Sequence, residues 1–133
     1  MPYVVKAFCV SCLLLFISSS YADMTKPRFL AVSFHADWCN GCKALAPKIK
    51  QARAQANLDQ SGILFVKLDL TNENTSHQAA MLAESLGISD VFNDNDGNTG
   101  YIAVIEASTG ILLSRILYKD SVDEMIHSLD LIK

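Results

Sequence analysis

The chain has 133 residues and a formal net charge of −3, and half of its residues are apolar. This length fits a single domain, and the apolar content excludes a disordered chain. The acidic balance excludes the concentrated basic surface of a nucleic-acid binder, and four cysteines are too few for a disulfide-dense scaffold.

Residues 1–22 have the layout of a secretory signal peptide. Lys6 precedes an apolar run over residues 7–17, and the small residues Ser20 and Ala22 stand three and one positions before the expected cleavage. The run is shorter than the roughly 20 residues that a membrane-spanning helix needs. We therefore expect cleavage after Ala22 and a periplasmic or secreted protein, with an uncleaved N-terminal membrane anchor as the alternative.

Cleavage would leave one domain, residues 23–133, in a compartment where disulfides persist. Cys9 and Cys12 lie in the apolar run and would be lost with it, so that Cys39 and Cys42 are the cysteines of the domain.

The first part of this domain predicts a strand, a helix and a second strand. The apolar run Phe29–Ala36 is typical of a buried strand. A helix is predicted from Asn40, with one apolar stripe made of Leu45, Ile49, Ala52 and Ala56. After a polar break, Ile63–Leu70 predicts a second buried strand.

A second helix is predicted to begin at a capping box of Thr75 and Gln78 and to end at Gly87. Its apolar stripe is made of Ala79, Leu82, Ala83 and Leu86. The residues that follow, 88–100, are rich in Asn, Asp and Gly and are interpreted as a polar connection.

The last part predicts a hairpin and a closing helix. Strands Tyr101–Ala107 and Ile111–Tyr118 are separated by a turn at 108–110, and Ser121 with Glu124 forms a capping box. The order β-α-β-α-β-β-α predicts an α/β fold in which helices cover both faces of one mixed sheet.

Cys39 and Cys42 lie where the first predicted strand runs into the first helix. Free N–H groups and the helix dipole stabilise an anion there, so the Cys39 thiolate should form below the free pKa of about 8.5. Cys42, one turn further and more buried, can then resolve a mixed disulfide. A zinc site and a static disulfide are the alternatives, although only His35 offers a further metal ligand nearby.

The segment Phe34 to Pro47, FHADWCNGCKALAP, resembles the active-site segment of the thioredoxin family. Val66–Asp69 is similar to the strand that follows that segment, and the element order from residue 29 matches a minimal thioredoxin fold. The motif ADWCxxCK is also similar to reducing domains of bacterial envelopes. The resemblance implies Cys39 as the nucleophile, Cys42 as the resolving thiol and Trp38 as a lid against substrate.

Four sites depart from the family's pattern. Asn40-Gly41 stands between the cysteines in place of Gly-Pro, and His35 replaces a tryptophan. Ser33 replaces a buried acid that the family uses as a proton shuttle for the resolving thiol. Thr99-Gly100 stands where the family has a substrate-facing cis-proline, and a cis bond before a non-proline residue, which costs about 3 kcal/mol, is not expected.

Three further side chains have two interpretations each. His35 either raises the positive potential at Cys39 or is a packed or solvent-facing strand residue. Lys43 either assists the thiolate or is a solvated helix lysine. Trp38 either belongs to the core or, as its place beside Cys39 favours, to the site.

These residues predict an exported thiol–disulfide oxidoreductase that reduces or exchanges disulfides of envelope proteins, as a reductant or carrier rather than a strong oxidant. Its expected partners are protein disulfides and a dithiol electron donor, membrane-bound or soluble. No nucleotide or flavin motif is present, so no cofactor is expected, and we expect a monomer. The alternative is a non-catalytic module of the same fold that holds a partner protein, or copper through Cys39, Cys42 and His35.

Overall fold

The computed structural model describes residues 26–132, so the expected signal peptide lies outside the described residues. The elements are β1 (Phe29–His35), α1 (Asn40–Gln55), β2 (Ile63–Asp69), α2 (Glu73–Ser85), α3 (Ser89–Asp94), β3 (Tyr101–Glu106), β4 (Leu112–Leu117) and α4 (Val122–Asp130). A single 3₁₀ turn, Leu58–Gln60, joins α1 to β2. No helix within residues 26–132 is long and apolar enough to cross a membrane.

The four strands form one mixed sheet in the order β2-β1-β3-β4, which confirms the predicted class of fold. β1 runs parallel to β2, with Phe29 opposite Ile63 and His35 opposite Asp69. The pairs β1–β3 and β3–β4 are antiparallel, and β3 and β4 form the predicted hairpin. The parallel pair needs a crossover connection, which α1 supplies.

Helices cover both faces of the sheet, as the element order predicts. Successive residues of a strand point to opposite faces. Leu30, Val32 and Phe34 of β1 belong to a core cluster with α2 and Ile88, whereas Ala31 belongs to a second cluster with α1 and α4. The junction of β1 and α1 therefore lies at one end of a sheet that is packed on both sides.

The start of α2 differs from the prediction. Asn72, not Thr75, is the N-cap, and its side-chain oxygen accepts a hydrogen bond from the Thr75 amide at 3.1 Å. The Thr75 hydroxyl accepts one from the Asn72 amide, also at 3.1 Å, which completes a capping box. This box makes the helix begin at Glu73 and leaves Gln78 inside it, because asparagine caps a helix as well as serine does.

The interpretation of residues 88–100 as a polar connection without a helix is wrong, since α3 lies within it. Ile88 is buried, and Val91 and Phe92, three and four residues later, pack against the same core cluster. The Phe92 ring stacks on Phe34 with centroids 6.4 Å apart. A short apolar stripe therefore forms a helical turn in spite of the surrounding Asn and Asp residues.

Smaller differences concern the ends of strands and one helix face. All four strands end one residue before the prediction, and β4 also begins one residue later. Leu82 of the predicted α2 stripe is 39% exposed, whereas Ala79 and Ala83 are buried.

Candidate active site

Cys39 caps the N-terminus of α1 with its own sulfur. Its backbone is extended, with φ −84° and ψ 111°, and its Sγ accepts a hydrogen bond from the Cys42 amide at 3.1 Å. The Cys39 amide in turn donates to the Ala36 carbonyl oxygen at 3.0 Å, which makes the turn from β1 into α1 tight. The sulfur thus occupies the place that a serine or aspartate oxygen takes in other helices.

Cys39 and Cys42 are joined as a disulfide, with Cα atoms 5.3 Å apart. Cys39 is 9% exposed and Cys42 4%. The Cys42 sulfur lies 3.7 Å from the carbonyl oxygen of Phe34, on the inner side of the pair. The first cysteine is therefore the one closer to solvent, and the second faces the end of β1.

Gly100 brings the chain before β3 against the outer cysteine. A Cβ atom placed on Gly100 would lie 3.4 Å from Cys39 Sγ and 3.5 Å from the Cα of Gly41. The Gly100 amide donates to the Phe34 carbonyl at 3.0 Å, and its φ of +88° is a conformation that side chains rarely adopt. Thr99 is half-buried, and a trans peptide bond joins it to Gly100. All peptide bonds within residues 26–132 are trans.

Trp38 does not belong to the core, because its side chain is 62% exposed beside Cys39. Its indole Nε1 donates to the carbonyl oxygen of Thr71 at 3.2 Å, and the Asp37 amide donates to the Thr71 hydroxyl at 3.0 Å. Thr71 follows β2 and was not predicted as a site residue. It anchors the turn that precedes Cys39.

Asp69 holds Thr71 in turn. Its Oδ1 accepts hydrogen bonds from the Thr71 hydroxyl, at 2.5 Å, and from the Thr71 amide, at 2.9 Å. These two bonds lower the pKa of Asp69, because they favour its charged form.

His35 lies at the end of β1 with its Nε2 3.1 Å from Asp37 Oδ1. The imidazole is half-buried, and it lines a cavity of about 520 Å³ together with Ser33 and Cys42. The structure therefore places His35 on the side of the inner cysteine, Cys42. Asn40 and Lys43 are exposed on the first turn of α1.

Gly41 packs under the ring of Tyr118, which follows β4. A Cβ atom at Gly41 would lie 3.1 Å from this ring. Lys48 donates to the carbonyl oxygens of Tyr118, at 2.8 Å, and Asp120, at 2.9 Å, and so ties that turn to α1. Tyr118, 51% exposed, was predicted only as the end of a strand, and no signal in the sequence connects it to the cysteines.

Within residues 26–132, no three His, Cys, Asp or Glu side chains form a group that could hold a metal ion. Cys39, Cys42 and His35 are therefore not assembled as a metal site in this structure.

A mixed sheet with a C-x-x-C disulfide at the start of its first helix defines a thiol–disulfide oxidoreductase of the thioredoxin class. Residues 18–88, more than half of the chain, match the family model described as Thioredoxin, and the chain belongs to this family. Its active-site pair is Cys39 and Cys42.

The curated relatives are larger proteins. The chain is 43% identical over 61 residues to protein disulfide-isomerase of Gallus gallus, which covers 46% of this chain and 11% of that protein. It is 38% identical over 58 residues to protein disulfide-isomerase of Oryctolagus cuniculus, covering 43% and 11%. The matched segment spans about a tenth of the length of each relative.

One solved structure shows the same fold along most of the chain. It is a thiol:disulfide interchange protein of the thioredoxin family from Chlorobium tepidum TLS, with a TM-score of 0.54 and 19% identity. The match covers 80% of this chain and 81% of that one.

Proposed function

We propose that this oxidoreductase acts outside the cytoplasm, where residues 23–133 reduce or exchange disulfides in envelope proteins. The observation that carries the proposed chemistry is the place of the Cys39 sulfur at the N-cap of α1. There the Cys42 amide and the helix dipole stabilise a thiolate at the more exposed end of the pair. The signal-peptide layout of residues 1–22 supports the compartment.

The proposed reaction has two exchanges. The Cys39 thiolate attacks a substrate disulfide and forms a mixed disulfide, and Cys42 then attacks Cys39 and releases the reduced substrate. The Cys39–Cys42 disulfide that remains is reduced again by a dithiol donor. The relatives named protein disulfide-isomerase support protein disulfides as substrates.

Two exposed aromatic rings border the disulfide and fit this substrate class. Trp38 precedes Cys39 in the chain, and Tyr118 lies over Gly41 on the other side. Aromatic rings of this kind contribute large contact areas to protein interfaces. A protein segment that presents its disulfide to Cys39 can therefore pack between them.

Insulin reduction driven by dithiothreitol tests the chemistry. The unmodified chain is expected to precipitate insulin B chains, whereas the Cys39→Ser variant is not. A Cys9→Ser/Cys12→Ser variant serves as the control and should keep full activity. Activity that persists in Cys39→Ser would contradict the assignment, and an inactive unmodified chain would favour a non-catalytic binding module.

Fractionation tests the compartment. The chain, expressed with its own N-terminus in a bacterium with two membranes, is expected in the periplasm or the medium with Asp23 as its first residue. An uncleaved chain in the membrane fraction would support the anchored alternative. An uncleaved chain in the cytoplasm would contradict export.

A further inference from the structure

The second exchange requires Cys42 to lose its proton in a place that solvent hardly reaches. Cys42 is 4% exposed, and a thiol attacks a disulfide only as its thiolate. Burial in apolar surroundings disfavours that charged form. The inner cysteine therefore needs a nearby group that accepts a proton.

A cavity of about 520 Å³ between β1, β2 and α1 reaches Cys42 from the side of the sheet. Ser33 and His35, two residues apart on β1, point to the same face and line it, whereas Ala31, Leu45 and Ile102 contribute apolar walls. A water molecule occupies about 30 Å³ in the liquid, so the cavity, which both His35 and Cys42 line, is large enough to hold water.

His35 is oriented for this task by Asp37. Its Nε2 lies 3.1 Å from Asp37 Oδ1, and a hydrogen on Nε2 donated to that carboxylate leaves the lone pair on Nδ1. An imidazole whose tautomer is held by a carboxylate in this way is suited to accept a proton. Only 19% of the His35 side chain is exposed, so the ring is held by its surroundings rather than free in solvent.

We propose that His35 is the proton acceptor for Cys42 in the second exchange, acting through the cavity directly or across one water. This inference rests on the proposed disulfide exchange. The proton of Cys42 Sγ moves to Nδ1 of His35, and the Cys42 thiolate attacks Cys39 Sγ. The Cys39–Cys42 bond forms, the bond from Cys39 to the substrate sulfur breaks, and that sulfur leaves with the electron pair. The proton then passes to the leaving thiolate or to solvent.

The pH dependence of this step is set by His35 and by the charges that surround it. The carboxylates beside the imidazole are those of Asp37, after β1, and Asp69, opposite His35 on β2. Lys67, Lys50 and Arg53 line other parts of the same cavity, and Arg53 lies over the Phe65 ring. When His35 takes the proton, a hydrogen on Nε2 can still be donated to the Asp37 carboxylate, which then faces the imidazolium.

Reduced protein mixed with the aromatic disulfide dithionitrobenzoate separates the two exchanges. The Cys39 thiolate releases a first nitrothiophenolate, and the attack of Cys42 on Cys39 releases a second. A Cys9→Ser/Cys12→Ser background ensures that only the site contributes. We expect His35→Gln to leave the first phase unchanged and to slow the second by roughly 10²-fold at neutral pH.

Two measurements distinguish a proton acceptor from a structural residue. The pH profile of the second phase should move to higher pH in His35→Gln, and imidazole added to His35→Ala should restore part of the lost rate. The control His77→Gln, on the exposed surface of α2, should behave like the parent.

An unchanged second phase in His35→Gln would overturn the inference, and so would an equal slowing of both phases without rescue by imidazole. Absence of the first phase in the parent would instead refute the proposed function on which the inference rests.

Discussion

The backbone of Gly100 lies against the sulfur of Cys39, so closely that a Cβ atom on Gly100 would come within 3.4 Å of it. The chain reaches this place with a φ of +88°, just before β3 begins. The family resemblance implies a substrate-facing backbone edge here, and Gly100 brings its backbone to this place without a proline.

Substitution of Gly100 by alanine should affect both stability and exchange. The left-handed conformation costs an L-residue roughly 1–2 kcal/mol, and the new methyl group would cover the Cys39 sulfur. We expect a free energy of unfolding lower by that amount and insulin reduction slowed severalfold.

Gly97→Ala is the matched control. Gly97 has a similar φ of +74°, but a Cβ atom there would have no neighbour within 4 Å. The Gly97→Ala variant should therefore lose a similar amount of unfolding free energy but should keep the exchange rate of the parent. Equal loss of exchange in both variants would show that stability, rather than contact with Cys39, controls the rate.

Thr71 should influence exchange although it does not contact the disulfide. Thr71→Val removes the hydroxyl that accepts from the Asp37 amide and donates to Asp69, each bond contributing about 1 kcal/mol net. The turn that carries Trp38 then loosens. We expect lower stability and a raised KM for protein substrates.

Thr109→Val removes a hydroxyl of comparable role in the β3–β4 turn, where it donates to Glu106 and accepts from the Ile111 amide. Chemical unfolding and insulin reduction of both variants provide the comparison. An effect on KM in Thr109→Val as large as that in Thr71→Val would contradict a positioning role for Thr71.

Protonation of Asp69 should lower the stability of the protein in acid. The hydrogen bond from the Thr71 hydroxyl is the main cause that lowers the pKa of Asp69 in the folded chain. The ionised carboxylate therefore stabilises the fold at pH values above the pKa that Asp69 has in the unfolded chain, about 3.9. The contribution is lost as the pH falls through the lower folded value. The unfolding free energies of the parent and Asp69→Asn should therefore differ most at neutral pH and converge in strong acid. A difference that does not change with pH would refute this linkage.

The sequence predicts the cysteine pair and its helix well because both are local. Strand, turn, capping sulfur and helix follow one another between Phe29 and Gln55, and each is determined by neighbouring residues. The two covered faces of the sheet are likewise predictable, since the apolar stripes of α1 and α2 each require a face to pack against.

The partners that complete the site come from distant segments and leave no local signal. Thr71 lies 33 residues from Trp38, and Tyr118 reaches Gly41 only because β4 packs beside β3. α3 escapes prediction because a single apolar turn is outnumbered by Asn and Asp, and its formation depends on packing against Phe34. Leu82 shows the converse, since its helical spacing fits the stripe but its side chain remains exposed.

The N-cap position of Cys39 should lower the pKa of its thiol in the reduced protein. The Cys42→Ser variant keeps the backbone amide at position 42 and isolates the Cys39 thiol, whose ionisation can be followed by thiolate absorbance on the Cys9→Ser/Cys12→Ser background. We expect a pKa below the free value of about 8.5. A value at or above it would show that the helix start does not stabilise the thiolate.

Trapping of the mixed disulfide tests most directly that Cys39 attacks the substrate and Cys42 releases it. With insulin as substrate, the Cys42→Ser variant should accumulate a mixed disulfide with insulin that dithiothreitol reduces. The Cys39→Ser variant should accumulate none. A complex formed through Cys42 in the Cys39→Ser variant, or no complex with either variant, would contradict the account.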